Sequence, residues 1–98
     1  MTDYKKDSKG VWIQKDPNAV LDYQVDWSAW LGLNETIVTS SWTTQLGITN
    51  DSTSHAGSVA TIWLSGGTLG KEYLVSNRIV TSAGRQEVRS FRVAIVSR

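Results

Sequence analysis

Apolar and polar residues alternate along much of the chain, which is the pattern of β-strands that bury one face of a sheet. From Leu21 to Trp27, apolar side chains are separated by Asp22, Gln24 and Asp26, so this segment predicts a strand with one core face and one acidic face. The alternation returns in residues 85–96, near the carboxyl end. Both segments therefore predict sheet rather than helix.

Shorter runs of β-branched and aromatic residues lie between these two segments and are separated by glycine, serine and asparagine. Runs of this kind, bounded by turn-forming residues, predict further strands. A turn at residues 82–84 would join the last of these runs to the segment 85–96 as a hairpin. We expect the additional strands at residues 36–43, 45–49, 58–65 and 73–81.

Two segments depart from the strand pattern. Residues 50–57 are almost entirely polar and predict a surface loop. Trp27, Trp30 and Leu31 are spaced by three and four residues, which predicts one helical turn ending at Gly32. The two indoles would then cover one end of the core.

Six or seven short strands joined by frequent turns are typical of an antiparallel sandwich. The composition agrees, because ten Val, six Ile and ten Thr residues favour a pleated sheet over a helix. The spacing Gly70-x-x-Tyr73 after a predicted strand matches the corner of immunoglobulin-like domains where a tyrosine hydroxyl bonds to upstream backbone. The sequence therefore predicts an all-β fold: a small antiparallel immunoglobulin-like β-sandwich of about seven strands, with an extended N-terminal arm.

Residues 1–16 are predicted to form this arm, extended or ordered by a partner, and residues 17–98 the sandwich, with the single proline at the boundary. Most of the arm is charged or polar, but Val11, Trp12 and Ile13 interrupt this pattern. Aromatic side chains in such a setting are typical of the anchors of protein interfaces. We therefore expect these three to be protein-interaction residues, with Trp12 contacting a partner or a second subunit in preference to its own domain.

The chain contains five tryptophans among 98 residues. A small sandwich can bury several large aromatic side chains along its central strands. We therefore predict that five aromatic residues after the arm, which lie in the predicted strands and turns, have structural roles: Trp27, Trp30, Trp42, Trp63 and Tyr73.

The formal net charge is only +1, but the charges are segregated along the chain. Residues 17–70 contain four acidic residues and no Lys or Arg, whereas residues 71–98 contain six basic and two acidic residues. Such polarity can orient self-association, or docking on a charged partner. The alternative is that the two stretches interleave in the fold and their charges cancel locally.

The sequence offers little of the chemistry on which enzymes and metal sites depend. It has no cysteine, and His55 is its single histidine, so disulfides, thiolate sites and the usual zinc sites are excluded. Asp22 and Asp26 could form a carboxylate pair, but a solvated strand face explains them better. The segment around Gly70 and Lys71 lacks the first glycine and the Ser or Thr of a phosphate loop. We predict no catalytic, metal-binding or cofactor-binding residues and no enzymatic activity.

Membranes are not expected as partners, and nucleic acid is disfavoured. The apolar runs are far shorter than a membrane span of about 20 residues, and the polar first residues lack the apolar stretch of a secretory signal. The basic residues of the carboxyl-terminal segment are sparse and distant in sequence from most aromatic residues, unlike a typical nucleic-acid surface.

A series of motifs runs through residues 15–96, and their combination is more distinctive than any one of them. They are residues 15–23 (KDPNAVLDY), 26–31 (DWSAWL), 36–42 (TIVTSSW), 62–67 (IWLSGG), the Gly70-x-x-Tyr73 spacing and residues 77–85 (NRIVTSAGR). In this combination the chain resembles a family of small tailed-bacteriophage proteins known as fiber-tail adaptor proteins. Residues 1–14 fall outside the pattern, so the partner specificity of this member is expected there.

The resemblance implies a non-enzymatic structural component of a phage virion, with an immunoglobulin-like fold, assembled in the bacterial host cytoplasm. The implied role is a binding module that connects tail, neck or fiber proteins, with its own symmetry copies as further partners. The alternative is a capsid decoration protein on the phage head. A small carbohydrate- or nucleic-acid-binding module is a more distant alternative.

Overall fold

The computed structural model describes residues 5–7 and 10–97 of the chain. Within these ranges the chain forms eight β-strands, and no described segment is a helix long and apolar enough to cross a membrane. The strands are β1 (Lys5–Asp7), β2 (Gly10–Lys15), β3 (Leu21–Asp26), β4 (Ile37–Thr44), β5 (Ile48–Ala56), β6 (Val59–Gly66), β7 (Glu72–Thr81) and β8 (Gln86–Ile95).

The strands form two sheets packed into a sandwich, which confirms the predicted fold class. One sheet has the order β1-β2-β8-β7-β4 and the other the order β3-β6-β5. Neighbouring strands are antiparallel, except that β2 runs parallel to β8. The immunoglobulin-like topology stays a prediction. The strand order agrees with it, because β3-β6-β5 and β8-β7-β4 follow the order of the two sheets of constant-type domains.

Alternating side chains from both sheets form the core. In the central strand β6, Ala60, Ile62 and Leu64 are fully buried, and the residues between them point outward. Full burial of an aliphatic or aromatic side chain stabilises the fold by about 1.5–3 kcal/mol, so this layer is the main source of stability. The five-stranded sheet contributes the buried hydrophobic residues Ile13, Ile37, Tyr73, Val75, Ile79, Phe91, Val93 and Ile95.

The predicted loop at residues 50–57 is wrong, because most of this stretch belongs to strand β5. The strand pairs with β6 along its length, with a bulge between Asn50 and Ser52. Only Ile48 is buried, and every later side chain of the strand is exposed. The strand forms through backbone hydrogen bonds to β6 at the edge of the sheet, and an edge strand of this kind needs no alternation of apolar side chains.

The segment that the sequence assigns to an arm contributes strands β1 and β2 to the larger sheet. In β2, Ile13 lies opposite Val93 of β8, and its side chain is only 1% exposed. Ile13 is therefore a core residue and is not available to a partner, contrary to its predicted role. It is buried because the parallel pairing with β8 places alternate residues of β2 between the sheets. The side chain of Val11 lies outside the described residues.

The helical turn predicted after β3 is present as a single turn. The N–H groups of Trp30 and Leu31 both donate hydrogen bonds to the carbonyl oxygen of Trp27, at 2.9 and 3.0 Å. The chain leaves this conformation before β4 and forms no longer helix. Both tryptophans are thereby placed at one end of the sandwich.

Candidate interaction surfaces

A buried hydrogen-bond network around Trp27 links the two sheets. The Trp27 side chain is fully buried, and its Nε1–H donates to Oδ1 of Asn77 at 2.9 Å. The Asn77 side-chain amide is also buried, and it donates to the Ser40 hydroxyl at 2.9 Å and to the Ser41 carbonyl at 3.0 Å. Trp30 packs edge-to-face on Trp27, with 5.5 Å between ring centres. The network therefore fixes strands β4 and β7 against the end of β3.

A charged cluster closes the same end of the sandwich. The Cζ atom of Arg85 lies 4.0 Å from the centre of the Trp30 ring. Its Nε and Nη2 donate to the Glu35 carboxylate at 3.0 and 2.5 Å. Glu35 also accepts hydrogen bonds from the Thr81 hydroxyl and the Gly32 N–H. The acidic and basic stretches of the sequence therefore interleave at this end, and their charges cancel locally.

The Glu35 cluster makes stability depend on pH in the acid range. Hydrogen bonds from Arg85, then Thr81 and Gly32, lower the pKa of Glu35 from 4.5 to about 2. Because the folded-state pKa is below the unfolded one, the stabilisation is complete above about 4.5 and is lost as the pH falls towards 2. We expect Glu35→Gln to be less stable than the wild type at pH 7, with a difference that shrinks between these two values. Urea unfolding of both proteins across this range measures it, and a difference that is constant with pH would contradict the assignment.

Tyr73 supports the opposite end of the sandwich. Its hydroxyl accepts a hydrogen bond from the backbone N–H of Thr68 at 2.9 Å, five residues upstream. The Tyr73 side chain is buried, and its ring packs beside Gly47 and Gly67. The contact ties the segment between β6 and β7 to the core.

Trp42 and Trp63 occupy different environments, although both are predicted as structural residues of the core. Trp42 is half-buried against the core, edge-to-face with Phe91 at 6.3 Å between ring centres. Trp63 is 42% exposed, so its predicted core position is wrong. Its neighbours Ile62 and Leu64 are buried, and alternation along the strand therefore turns the indole of Trp63 outward.

Trp12 lies on the outer face of the five-stranded sheet, because its neighbour Ile13 points into the core. In the register, Trp12 is opposite Arg92 of β8, and Arg92 is opposite Leu74 of β7. Directly paired residues share a face, so the three form a row across the sheet. Leu74 is 48% exposed, and Arg92 donates to Glu72 at 3.0 Å. The row offers a half-buried indole and an exposed leucine on either side of a guanidinium group.

The outer face of the three-stranded sheet is acidic and centred on Trp63; we call it the Trp63 face. Asp22 of β3 is the direct cross-strand neighbour of Trp63. Asp26 lies on the same face, and the hydrogen bond from the Ser28 N–H, at 2.9 Å, lowers the pKa of its carboxyl. Asp51 reaches this face through the hydroxyl of Ser65, at 3.0 Å. The strands β3, β5 and β6 themselves contain no Lys or Arg, but the charge of Arg89 acts on Asp26 and that of Lys15 on Asp51.

The outer face of the five-stranded sheet carries Arg78 and Arg92 together with Glu72, to which Arg92 donates; we call it the Arg78 face. Arg78 is exposed on β7 and lies opposite Val88 of β8, which is 49% exposed. Arg92 lies on the same face. The outer faces of the two sheets therefore differ in charge, as the separation of acidic and basic residues along the sequence suggested. The end of the sandwich closed by Glu35 is an exception, because charges of both signs meet there.

Sequence reasoning missed three buried polar residues of the described part of the chain, Lys15, Asn77 and Thr81. Lys15 is 0% exposed, and its Nζ donates to the carbonyl oxygens of Asp16 and Gly66, at 2.9 and 2.8 Å. Burial lowers the pKa of Lys15, while Asp16 and Asp51 oppose this shift. The alternation of strand β2 was the available signal, since it places Lys15 on the same face as Ile13.

In the described part of the chain, no three His, Asp or Glu side chains are grouped as a metal site would require. The fold and these surfaces define a small β-sandwich protein that exposes aromatic and charged side chains on two opposite sheet faces. The chain belongs to the Gp77 family, described as podophage GP4 fiber-tail adaptor proteins, whose family model matches residues 15–94. No curated protein matches the chain. The protein is therefore a structural component of the phage tail, and the family implies contact with other tail proteins.

Proposed function

We propose that the chain is a non-enzymatic adaptor that other tail proteins hold through its amino-terminal strands and through the row that begins at Trp12. The observation that carries this proposal is the position of Trp12, an indole on the outer face of a sheet. Large aromatic side chains in such positions dominate the energy of protein interfaces. Strands β1 and β2 extend the sheet on the side where Trp12 lies.

The family match supports a specific role for the amino-terminal strands. It begins at residue 15, so β1 and nearly all of β2 precede it. Strands outside the shared part of a family are suited to contacts that differ between members. The free edge of the sheet also offers unpaired backbone groups to a neighbouring strand. We infer that the sandwich is the rigid spacer and that its β1–β2 side makes the contact, with copies of the chain arranged by the symmetry of the tail.

Substitution of Trp12 tests this proposal better than deletion of residues 1–16. A deletion would also remove the core residues Ile13 and Lys15 and would destabilise the sheet. We expect Trp12→Ser to remain folded but to bind its tail partner at least about 30-fold more weakly, since loss of an anchor costs about 2 kcal/mol or more. The amount of the variant in purified particles then falls well below that of the wild type.

The matched control is Leu33→Ser, because Leu33 is 95% exposed at the far end of the sandwich. Its incorporation into particles is expected to equal that of the wild type. Circular dichroism melts of both variants establish that they are folded. Wild-type incorporation of a folded Trp12→Ser protein would contradict the proposed contact, and incorporation into heads in place of tails would favour a decoration protein.

A further inference from the structure

Exposed apolar side chains are concentrated at one end of the sandwich, the end that Tyr73 supports. The connections β2–β3, β4–β5 and β6–β7 all lie there. Together with the first residue of β3, they expose four large apolar side chains by between 42% and 97%: Val20, Leu21, Leu46 and Leu69. We call these four residues the Leu46 end. Among the described residues, the connections at the opposite end expose one large apolar side chain, that of Leu33.

Two buried side chains hold the connections of the Leu46 end in place. A Cβ added to Gly47 would lie 2.7 Å from one edge of the Tyr73 ring, at Cε1, and a Cβ added to Gly67 would lie 3.5 Å from the other edge, at Cε2. The ring therefore separates and supports the connections β4–β5 and β6–β7. The ammonium group of Lys15 donates to the carbonyl oxygen of Gly66 at 2.8 Å, which ties the start of the connection β2–β3 to the end of β6. Because these contacts already order the connections, a partner that binds there loses little conformational entropy.

The Leu46 end adjoins the row that begins at Trp12. Leu74, the last residue of this row, is joined to Gln45 by two hydrogen bonds. The Leu74 N–H donates to Oε1 of Gln45 at 2.9 Å, and the Gln45 N–H donates to the Leu74 carbonyl at 3.0 Å. Leu46 follows Gln45 directly and is 97% exposed. The row therefore continues from the outer face of the sheet onto the end of the sandwich.

The row is too small to form a stable contact by itself. Its three residues lie on neighbouring strands and span about 10 Å. Stable interfaces bury roughly 800 Å² per partner and use about 20–30 residues on each side. The Leu46 end is the apolar surface that adjoins the row and extends it. We propose that the tail protein that holds the row also covers the Leu46 end, with apolar side chains of its own. This proposal rests on the adaptor function proposed above.

Replacing two leucines of this end tests the proposal. Leu46→Ser combined with Leu69→Ser removes two side chains that are 97% and 58% exposed, so the variant is expected to remain folded. The variant and the wild type are supplied in equal amounts during infection, and mass spectrometry of purified particles measures their ratio. We expect the variant to be at least about tenfold under-represented, because it loses the apolar surface that the partner buries.

Leu33→Ser is the matched control, since Leu33 is 95% exposed at the opposite end of the sandwich. Its ratio to the wild type in particles is expected to be one, and circular dichroism melts establish that both variants are folded. A folded Leu46→Ser, Leu69→Ser protein that enters particles as well as the wild type would overturn the proposal. If Trp12→Ser is excluded from particles in that case, the adaptor function stands and the Leu46 end alone fails. If Trp12→Ser also enters normally, the adaptor contact fails as well.

Photo-crosslinking in assembled particles identifies the occupant. A photoreactive amino acid replaces Leu46, Leu74 or Leu33 in the full chain, and mass spectrometry identifies the crosslinked protein. We expect the same tail protein at positions 46 and 74, and no crosslink to it at position 33. A crosslink from position 46 to a second copy of the chain, to the capsid or to a tail protein other than the one at position 74 would overturn the proposal. The absence of any crosslink at position 46 would overturn it too.

Discussion

Replacing Asn77 by leucine is expected to destabilise the protein by about 3–5 kcal/mol, because the change leaves buried hydrogen-bonding groups without partners. Leucine has a similar volume, so little space is lost. The Nε1–H of Trp27 and the carbonyl of Ser41 would have no replacement partner in the core. Domains of this size are stable by only about 5–15 kcal/mol, so the loss is a large fraction of the total. Urea unfolding of the variant and the wild type measures the difference.

A double-mutant cycle separates the hydrogen bond from the packing of the two side chains. Trp27→Phe removes the indole donor and keeps an aromatic ring in the core. If the Trp27–Asn77 bond carries the effect, the double variant costs less than the sum of the single variants by about 1–3 kcal/mol. If the losses in free energy of unfolding simply add, the two side chains contribute independently and the Trp27–Asn77 hydrogen bond does not couple the sheets.

Replacing Gly67 by alanine is the second large expected effect, at about 2–4 kcal/mol of destabilisation. Gly67 has a φ of +97°, a conformation that an alanine adopts only with strain. Its added Cβ would also lie 2.6 Å from Cδ1 and 2.7 Å from Cγ1 of Ile95. Ile95 is 1% exposed and cannot move aside without disturbing the core.

Gly70→Ala is the control that isolates the backbone strain. Gly70 has a similar φ of +87°, but an added Cβ would meet no atom within 4 Å. We expect it to cost about 1 kcal/mol, clearly less than Gly67→Ala. Thermal unfolding of the two variants compares them directly. Equal losses at the two positions would mean that contact with Ile95 contributes nothing.

Alternation along the chain was sufficient to predict most of the sandwich. The strands around Tyr23 and Phe91 alternate clearly between apolar and polar residues, and the turns along the chain contain glycine or serine. Strand β5 could not be found in this way, since its Ser- and Thr-rich side chains are exposed and the strand exists through pairing with β6. Its stability depends on a neighbour that local sequence does not specify.

The burial of Lys15 and Asn77 could not be predicted from local sequence either, because their hydrogen-bond partners are distant along the chain. The Nζ of Lys15 bonds to Gly66, and Asn77 bonds to Trp27, which lie 51 and 50 residues away along the chain. No sequence pattern states that such partners will meet. The candidate surfaces were predicted only in part: Trp12 was expected at an interface because it interrupts a polar segment, whereas Trp63 was assigned to the core because both faces of β6 look apolar in the sequence.

A reconstruction of the intact virion by electron cryomicroscopy is the most direct test of the adaptor role. We expect copies of this sandwich in the tail, with the outer face around Trp12 and the β1–β2 side in contact with a different tail protein. Copies distributed over the capsid shell, or a tail position in which the Trp12 side faces solvent, would contradict it.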